Sequence, residues 1–307
     1  MNSIDLFLWA LFLVLVSSAL AIDLFVVNRH AHTVSIKEAV RWVIIWVSLA
    51  LAFNVVVLLG KGPHKALEFL TGYVIEYSLS VDNLFVFLMI FAHFSVKQEY
   101  QPRILKWGIL GAVFMRAVFV MVGVTLMNLF HWMVYVFGAL LIYGGMKMLA
   151  HQEEEFDPEK NAILRLFRFF IPVSSQVQGE SFFVKESHHW MATSLLVVLI
   201  VIEASDLIFA LDSVPAVIAI SRDLFIVYSS NIFAILGLRS LYFLLAGVMN
   251  LFQYLKYGLC IILSFVGLKL MISHYYHIPV GLTLGLIALI LSISIIASLL
   301  AGKKKSA

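Results

Sequence analysis

Nine stretches of the chain stay apolar for about twenty residues, the length that carries a helix across the hydrocarbon core of a bilayer. They run from Ile4 to Val27, Ala39 to Gly60, Leu67 to Phe94, Ile104 to Met127, Trp132 to Ala150, Trp190 to Ile220, Leu224 to Val248, Leu255 to Ser273 and Ile278 to Ala301. Polar residues gather between them. The pattern predicts an all-α polytopic membrane protein with nine transmembrane helices in one membrane domain, 1–307. No Lys or Arg precedes the first run and Asp5 stands where a signal peptide is positive, so it reads as a retained span. The one long polar stretch is 151–189. Within it Ala162 to Ile171 has the pattern of a short amphipathic surface helix, or of a solvated linker.

Composition sharpens this picture. Of 307 residues, 62% are hydrophobic and 13% charged. A soluble domain carries about 25% charged residues, so lipid is the expected solvent. The net charge of +3 gives no reason to expect nucleic acid as a partner. With one cysteine, Cys260, no disulfide can form within the chain, and the ten histidines lack zinc-type spacing.

Charge sets the expected orientation. With the N-terminus outside, the cytoplasmic side carries 15 Lys and Arg, against 3 opposite. That places the basic tail Lys303, Lys304 and Lys305 in the cytoplasm and the protein in a bacterial inner membrane, N-terminus periplasmic. Arg116, Arg239 and Lys269 fall within spans.

Two segments of the chain are alike. GAVFMRAVFVMVGV from Gly111 matches AILGLRSLYFLLAGV from Ala234, setting Arg116 opposite Arg239. GGMKM from Gly144 matches VGLKL from Val266, setting Lys147 opposite Lys269. Backwards, EYSLSVDN from Glu76 matches DLIFALDS from Asp206, so Glu76 pairs with Asp206 and Asp82 with Asp212. The unit is three spans, 67–150 and 190–273, preceded by two spans in 4–60 and followed by the last span and tail in 278–307. An odd number of spans inverts the second copy, the arrangement of carriers whose site lies at the midplane.

Eighteen acidic residues occur, and five lie well inside spans: Glu76, Asp82, Glu203, Asp206 and Asp212. Each costs roughly 2.5–3.5 kcal/mol at the bilayer centre on insertion scales. Arg116 and Arg239 can balance only two of them, so bound cations or protons are expected to supply the rest. The donors are all oxygen: the carboxylates, the Asn83 amide and the Ser213 hydroxyl. That set suits Mg²⁺, Ca²⁺ or Mn²⁺. Pro215 removes a helical hydrogen bond and predicts a kink or unwound stretch that turns Asp212 and Ser213 inward. Span three is long enough to tilt or break near Asp82. Asn54 reads as a packing residue, and Asp23 and His93 as interfacial.

EYSLSVDNLFVF in span three, EASDLIFALDSVPAV in span six and NIFAILGLRSLYFLLAG in span seven resemble the hallmark motifs of the TerC family, in its Alx-like branch within the LysE-type exporters. The resemblance spans nearly the whole chain. It implies manganese export, links to tellurite resistance and alkaline response, and a requirement for Glu76, Asp82, Glu203, Asp206 and Asp212. A pathway lined by acids repels tellurite, so that link is expected to be indirect. The reading is a secondary exporter of a hard divalent cation, Mn²⁺, with no permanent cofactor and with the ion and lipid as partners. A Ca²⁺/proton exchanger of the same fold and a non-transporting scaffold stay open. No nucleotide loop, Ser-His-Asp set or HExxH helix suggests an enzyme.

Overall fold

The computed structural model describes residues 3–22, 35–150, 181–186, 189–248, 254–273, 275–276 and 278–305. The side chains of Asp82 and Asp212 lie outside the described set, as do residue Asp23 and the segment 162–171. Ten helices and one hairpin follow in order: α1 (Ser3–Ala21), α2 (Ile36–Lys61), α3 (Pro63–His93), α4 (Gln101–Leu129), α5 (Met133–Ala150), β1 (Phe183–Glu186), β2 (His189–Ala192), α6 (Ser194–Ile218), α7 (Leu224–Leu236), α8 (Leu238–Val248), α9 (Leu255–Ile272) and α10 (Val280–Lys305). Among the described residues, seven helices are long and apolar enough to cross a membrane. The bent pair α7–α8 makes an eighth span, and α5 is a shorter apolar helix. The chain is an all-α polytopic membrane protein. Large apolar side chains such as Leu59 and Phe114 point outward, as lipid-facing residues do.

Local chemistry sets the helix ends. Ser35 caps α2 by accepting from the Glu38 N–H at 3.3 Å. Gly62 then takes φ +87°, a left-handed backbone that suits glycine, and Pro63 opens α3 with a preset φ. Asp223 caps α7 by accepting from the Phe225 N–H at 3.0 Å. At 31 residues α3 is about 46 Å long, which exceeds a hydrocarbon core of about 30 Å.

Three expectations need correction. Trp190 is not part of a span: it lies in β2, where Lys185 pairs with Trp190 across the hairpin. α6 does not unwind at Pro215 but stays helical to Ile218. Only one turn follows the proline, and its carbonyl accepts from the Ala219 N–H at 2.9 Å, so the end of the helix absorbs the disruption. The sharp bend, 45°, falls instead at Gly237, between α7 and α8. α3 is likewise unbroken at Asn83.

Packing forms two apolar clusters. One joins α1, α2, α7 and α8 with parts of α3, α4 and α6, around Phe12, Phe53, Phe69 and Phe233. The other joins α5 and α9 with other parts of α3, α4 and α6, Val227 of α7 and Ile287 of α10. On α4 the change of cluster falls between Ala112 and Val120, and on α6 between Ile202 and Val214. Arg116, Glu203 and Asp206 occupy those two intervals. The apolar cores therefore meet at a charged seam.

The α5–α9 crossing is close enough for backbone contact. A Cβ on Gly267 would sit 2.7 Å from the Gly138 carbonyl oxygen and 3.0 Å from Leu141 and Ile142. A Cβ on Gly145 would sit 3.0 Å from the Cys260 carbonyl oxygen, 3.4 Å from Leu263 and 2.9 Å from Ser264. Shifting one set by 122 positions and exchanging helices gives the other, which is the register that sets Lys147 opposite Lys269.

Candidate cation site at the seam

Of the candidate residues, α3 carries Glu76, Ser80 and Asn83, α4 carries Arg116, α6 carries Glu203, Asp206 and Ser213, and α8 carries Arg239; α7 adds Asn231. Glu76 is fully buried and Arg116 is 1% exposed. They form an ion pair through Arg116 Nη1 and Glu76 Oε1. The same Nη1 donates to Asn231 Oδ1 at 2.8 Å. Asn231 Nδ2 in turn donates to the Val227 carbonyl at 3.0 Å, which fixes the amide with its oxygen toward Arg116. Asn231 carries no charge and sits in an apolar run, so sequence gave little reason to single it out. Its one signal was an amide in the middle of a membrane helix.

Several oxygens on these helices are buried and have no hydrogen-bond partner among the described residues: Glu76 Oε2, Asp206 Oδ2, Ser80 Oγ and Ser213 Oγ. A buried polar oxygen left unsatisfied costs about 1–3 kcal/mol, more when charged. Asp206, 5% exposed, interacts electrostatically with Glu76, Glu203 and Arg116. These groups form one cluster. Such oxygens are what a hard cation takes. Asn83 is also buried, one residue from Asp82. Among the described residues no three of His, Cys, Asp or Glu converge on one metal-sized point; the Asp82 and Asp212 side chains are outside that set.

Glu203 is only partly buried, and α4 makes room for it: a Cβ on Gly111 would collide with its carboxylate. Asp206 and Arg239 line a narrow cavity of about 10 Å³ with Gly108, Ala112, Ile202 and Leu84, room for about one water. Arg239 is buried at 4% exposure. Of the lesser candidates, Asn54 Oδ1 is buried without a partner, and His93 ends α3 with its ring edge-on to Phe94.

A second polar cluster closes the end of the bundle where α1 begins. Lys61 bridges Asp5 at 2.9 Å and Asp223 at 3.1 Å. Glu68, 5% exposed, accepts from Lys65 at 2.7 Å and from the Ser221 hydroxyl at 2.5 Å, and His64 lies 3.1 Å from its other oxygen. Lys269 is near enough to interact with Glu68 electrostatically.

The sequence model described as "Integral membrane protein TerC family" matches residues 61–306. The chain is 48% identical over 293 residues to an uncharacterized membrane protein of Myxococcus xanthus, covering 95% of this chain and 92% of that one. It is 46% identical over 290 residues to the putative membrane-bound redox modulator Alx of Escherichia coli strain K12, covering 91% and 90%. It is 42% identical over 316 residues to the protein of the same name in Photorhabdus laumondii, covering 100% and 99%. No solved structure matches it. Motifs, spans and relatives agree: the chain belongs to the TerC family of integral membrane proteins.

Proposed function

We propose that this protein is a secondary transporter that exports a hard divalent cation, Mn²⁺ first among them, from the cytoplasm in exchange for protons. The observation that carries this reading is the set of buried oxygens on α3 and α6 with no partner among the described residues, Glu76 Oε2 and Asp206 Oδ2 with the Ser80 and Ser213 hydroxyls. Carboxylates, hydroxyls and the nearby Asn83 amide form a hard donor set suited to Mn²⁺, Mg²⁺ or Ca²⁺. Asp82 and Asp212, one in each three-span unit, complete the proposed set. A cation among these groups offsets the excess of acid over Arg116 and Arg239. The register-matched contacts between α5 and α9 support an inverted repeat of two three-span units, an arrangement common among alternating-access carriers. The positive-inside count supports an inner-membrane protein with N-terminus outside and C-terminus in the cytoplasm.

Alx relatives carry the name redox modulator. This chain has one cysteine, buried Cys260, and cannot cycle an internal dithiol. A redox effect of this chain would follow from the metal balance it sets.

The test is the metal content of cells with and without the protein, across Mn, Ca, Mg, Fe and Zn. Wild type lowers manganese selectively, and Asp206→Asn and Asp82→Asn do not. Equal lowering by all three proteins overturns the site. A fall in calcium alone selects the calcium exchanger. No metal change at all, with stoichiometric protein partners co-purifying, selects the scaffold.

A further inference from the structure

α8 is a short helix hung on a bend. It leaves α7 at 45° at Gly237. α4, the matching helix of the first three-span unit, runs unbroken through Phe114, the residue in register with Gly237. Alike in sequence, the two elements take two shapes. A Cβ on Gly237 would meet only ordinary contacts, 3.5 Å from Trp46 and 3.6 Å from Tyr77, so nothing is wedged against the bend.

The two sides of α8 are packed differently. On one, Leu238 and Arg239 close with Leu84, Phe87, Leu105 and Asp206 around the cavity of about 10 Å³. That space is too narrow for a divalent cation with water still on it. Leu105 lies between the seam and the Gln101 end of α4, on the side that the charge count places in the cytoplasm. On the other side, Leu241 and Leu244 border a space of about 380 Å³, with Tyr77 of α3 and Leu291 of α10 across it. α8 has 11 residues. Such a helix is about 16 Å long and about 10 Å across, so a sideways move of about 2 Å sweeps about 330 Å³. The space behind α8 accommodates that move.

A latch holds α8 where it is. The Tyr242 hydroxyl donates to Gln101 Oε1 at 2.9 Å, and Gln101 Nε2 donates to the Val96 carbonyl at 3.1 Å. The buried Tyr242 ring stands edge-on to Phe91 at 5.5 Å. One hydrogen bond of this kind shifts an equilibrium by about fivefold. That favours the closed position and is small enough to break in every cycle.

We propose that α8 is the cytoplasmic gate of the carrier: it turns about Gly237 into the space before α10, breaks the Tyr242–Gln101 bond, and opens a path past Leu105 to Asp206. The inference rests on the transport reading and adds to it the door by which cargo enters.

A thiol in the closed path reports opening without any metal. In the full-length protein, Cys260→Ala removes the one native cysteine and Leu105→Cys puts a thiol in the lining. A membrane-impermeant thiol reagent is added to one face of sealed vesicles at a time. Label enters faster from the cytoplasmic face, and Tyr242→Phe speeds it by about fivefold. Leu244→Trp combined with Leu291→Trp fills the space behind α8. Opening then overpacks that space, so labelling and Mn²⁺ transport in proteoliposomes both slow by about tenfold. Labelling no faster from the cytoplasmic face than from the outer one overturns the proposal, and so does a rate that Tyr242→Phe leaves unchanged. A folded double-tryptophan variant that labels and transports at wild-type rates overturns it too. Should that variant fail to fold, the Tyr242→Phe rate decides. If labelling follows expectation and wild type moves no metal, the gate stands and the transport reading fails.

Discussion

Glu68 and Glu76 lie eight residues apart on α3, both buried, and have opposite surroundings. Every oxygen of Glu68 has company: His64 on one, Lys65 and Ser221 on the other. Glu76 gives one oxygen to Arg116, and its other oxygen has no partner among the described residues. The difference separates a carboxylate that ties helices together from one that keeps an oxygen open, as the proposed cation site needs. Burial alone did not distinguish them, nor did charge count; the satisfied or unsatisfied state of each oxygen did.

The contrast can be broken from either side. Asp206→Asn removes charge from the unsatisfied cluster, and metal export falls to background while the thermal unfolding midpoint in detergent holds or rises. A destabilised but active Asp206→Asn would reverse the assignment of roles. Gly111→Ala pushes the Glu203 carboxylate out of its recess; the far end of that side chain can move, so folding is spared and Mn²⁺ affinity drops by roughly tenfold in a binding titration. Glu68→Gln acts the other way. Transport stays within about twofold, but stability falls by about 1.5 kcal/mol as charge-assisted hydrogen bonds weaken, read from thermal unfolding. Lys61→Met at the same end of the bundle costs under about 1 kcal/mol, since its ion pairs are partly solvated. A larger loss there than in Glu68→Gln would mean that the solvated bridge, and not the buried one, ties the helices.

The spans were legible because apolar runs of bilayer length have few other uses, and helices occupy most of each run. Boundaries were less so. Trp190, Met191 and Ala192 read as the start of a span by hydropathy, yet their backbone pairs with β1. Hydropathy does not separate an apolar strand from an apolar helix end. Pro215 announced a break that α6 absorbs within its last turn, while the bend came at Gly237, where a glycine inside an apolar run gave a weaker signal. Of the seam, Glu76, Glu203, Asp206 and Arg116 stood out because charge in lipid is costly. Asn231 and Gly111 did not, since an amide and a glycine are cheap there. Their importance lies in which neighbour they meet, and that depends on the tertiary fold.

The crossing of α5 and α9 has one more consequence. Its contacts turn into themselves when the two helices trade roles. A motion in which each three-span unit takes up the shape of the other therefore leaves this junction as it was. In the proposed alternating-access cycle it would act as an axle: the parts around it turn, and it does not. Gly138 and Gly267 bring the two backbones near enough for that axle to be stiff. In that proposed cycle, a side chain added to Gly267 would lie against the Gly138 carbonyl in either orientation, and would burden both alike.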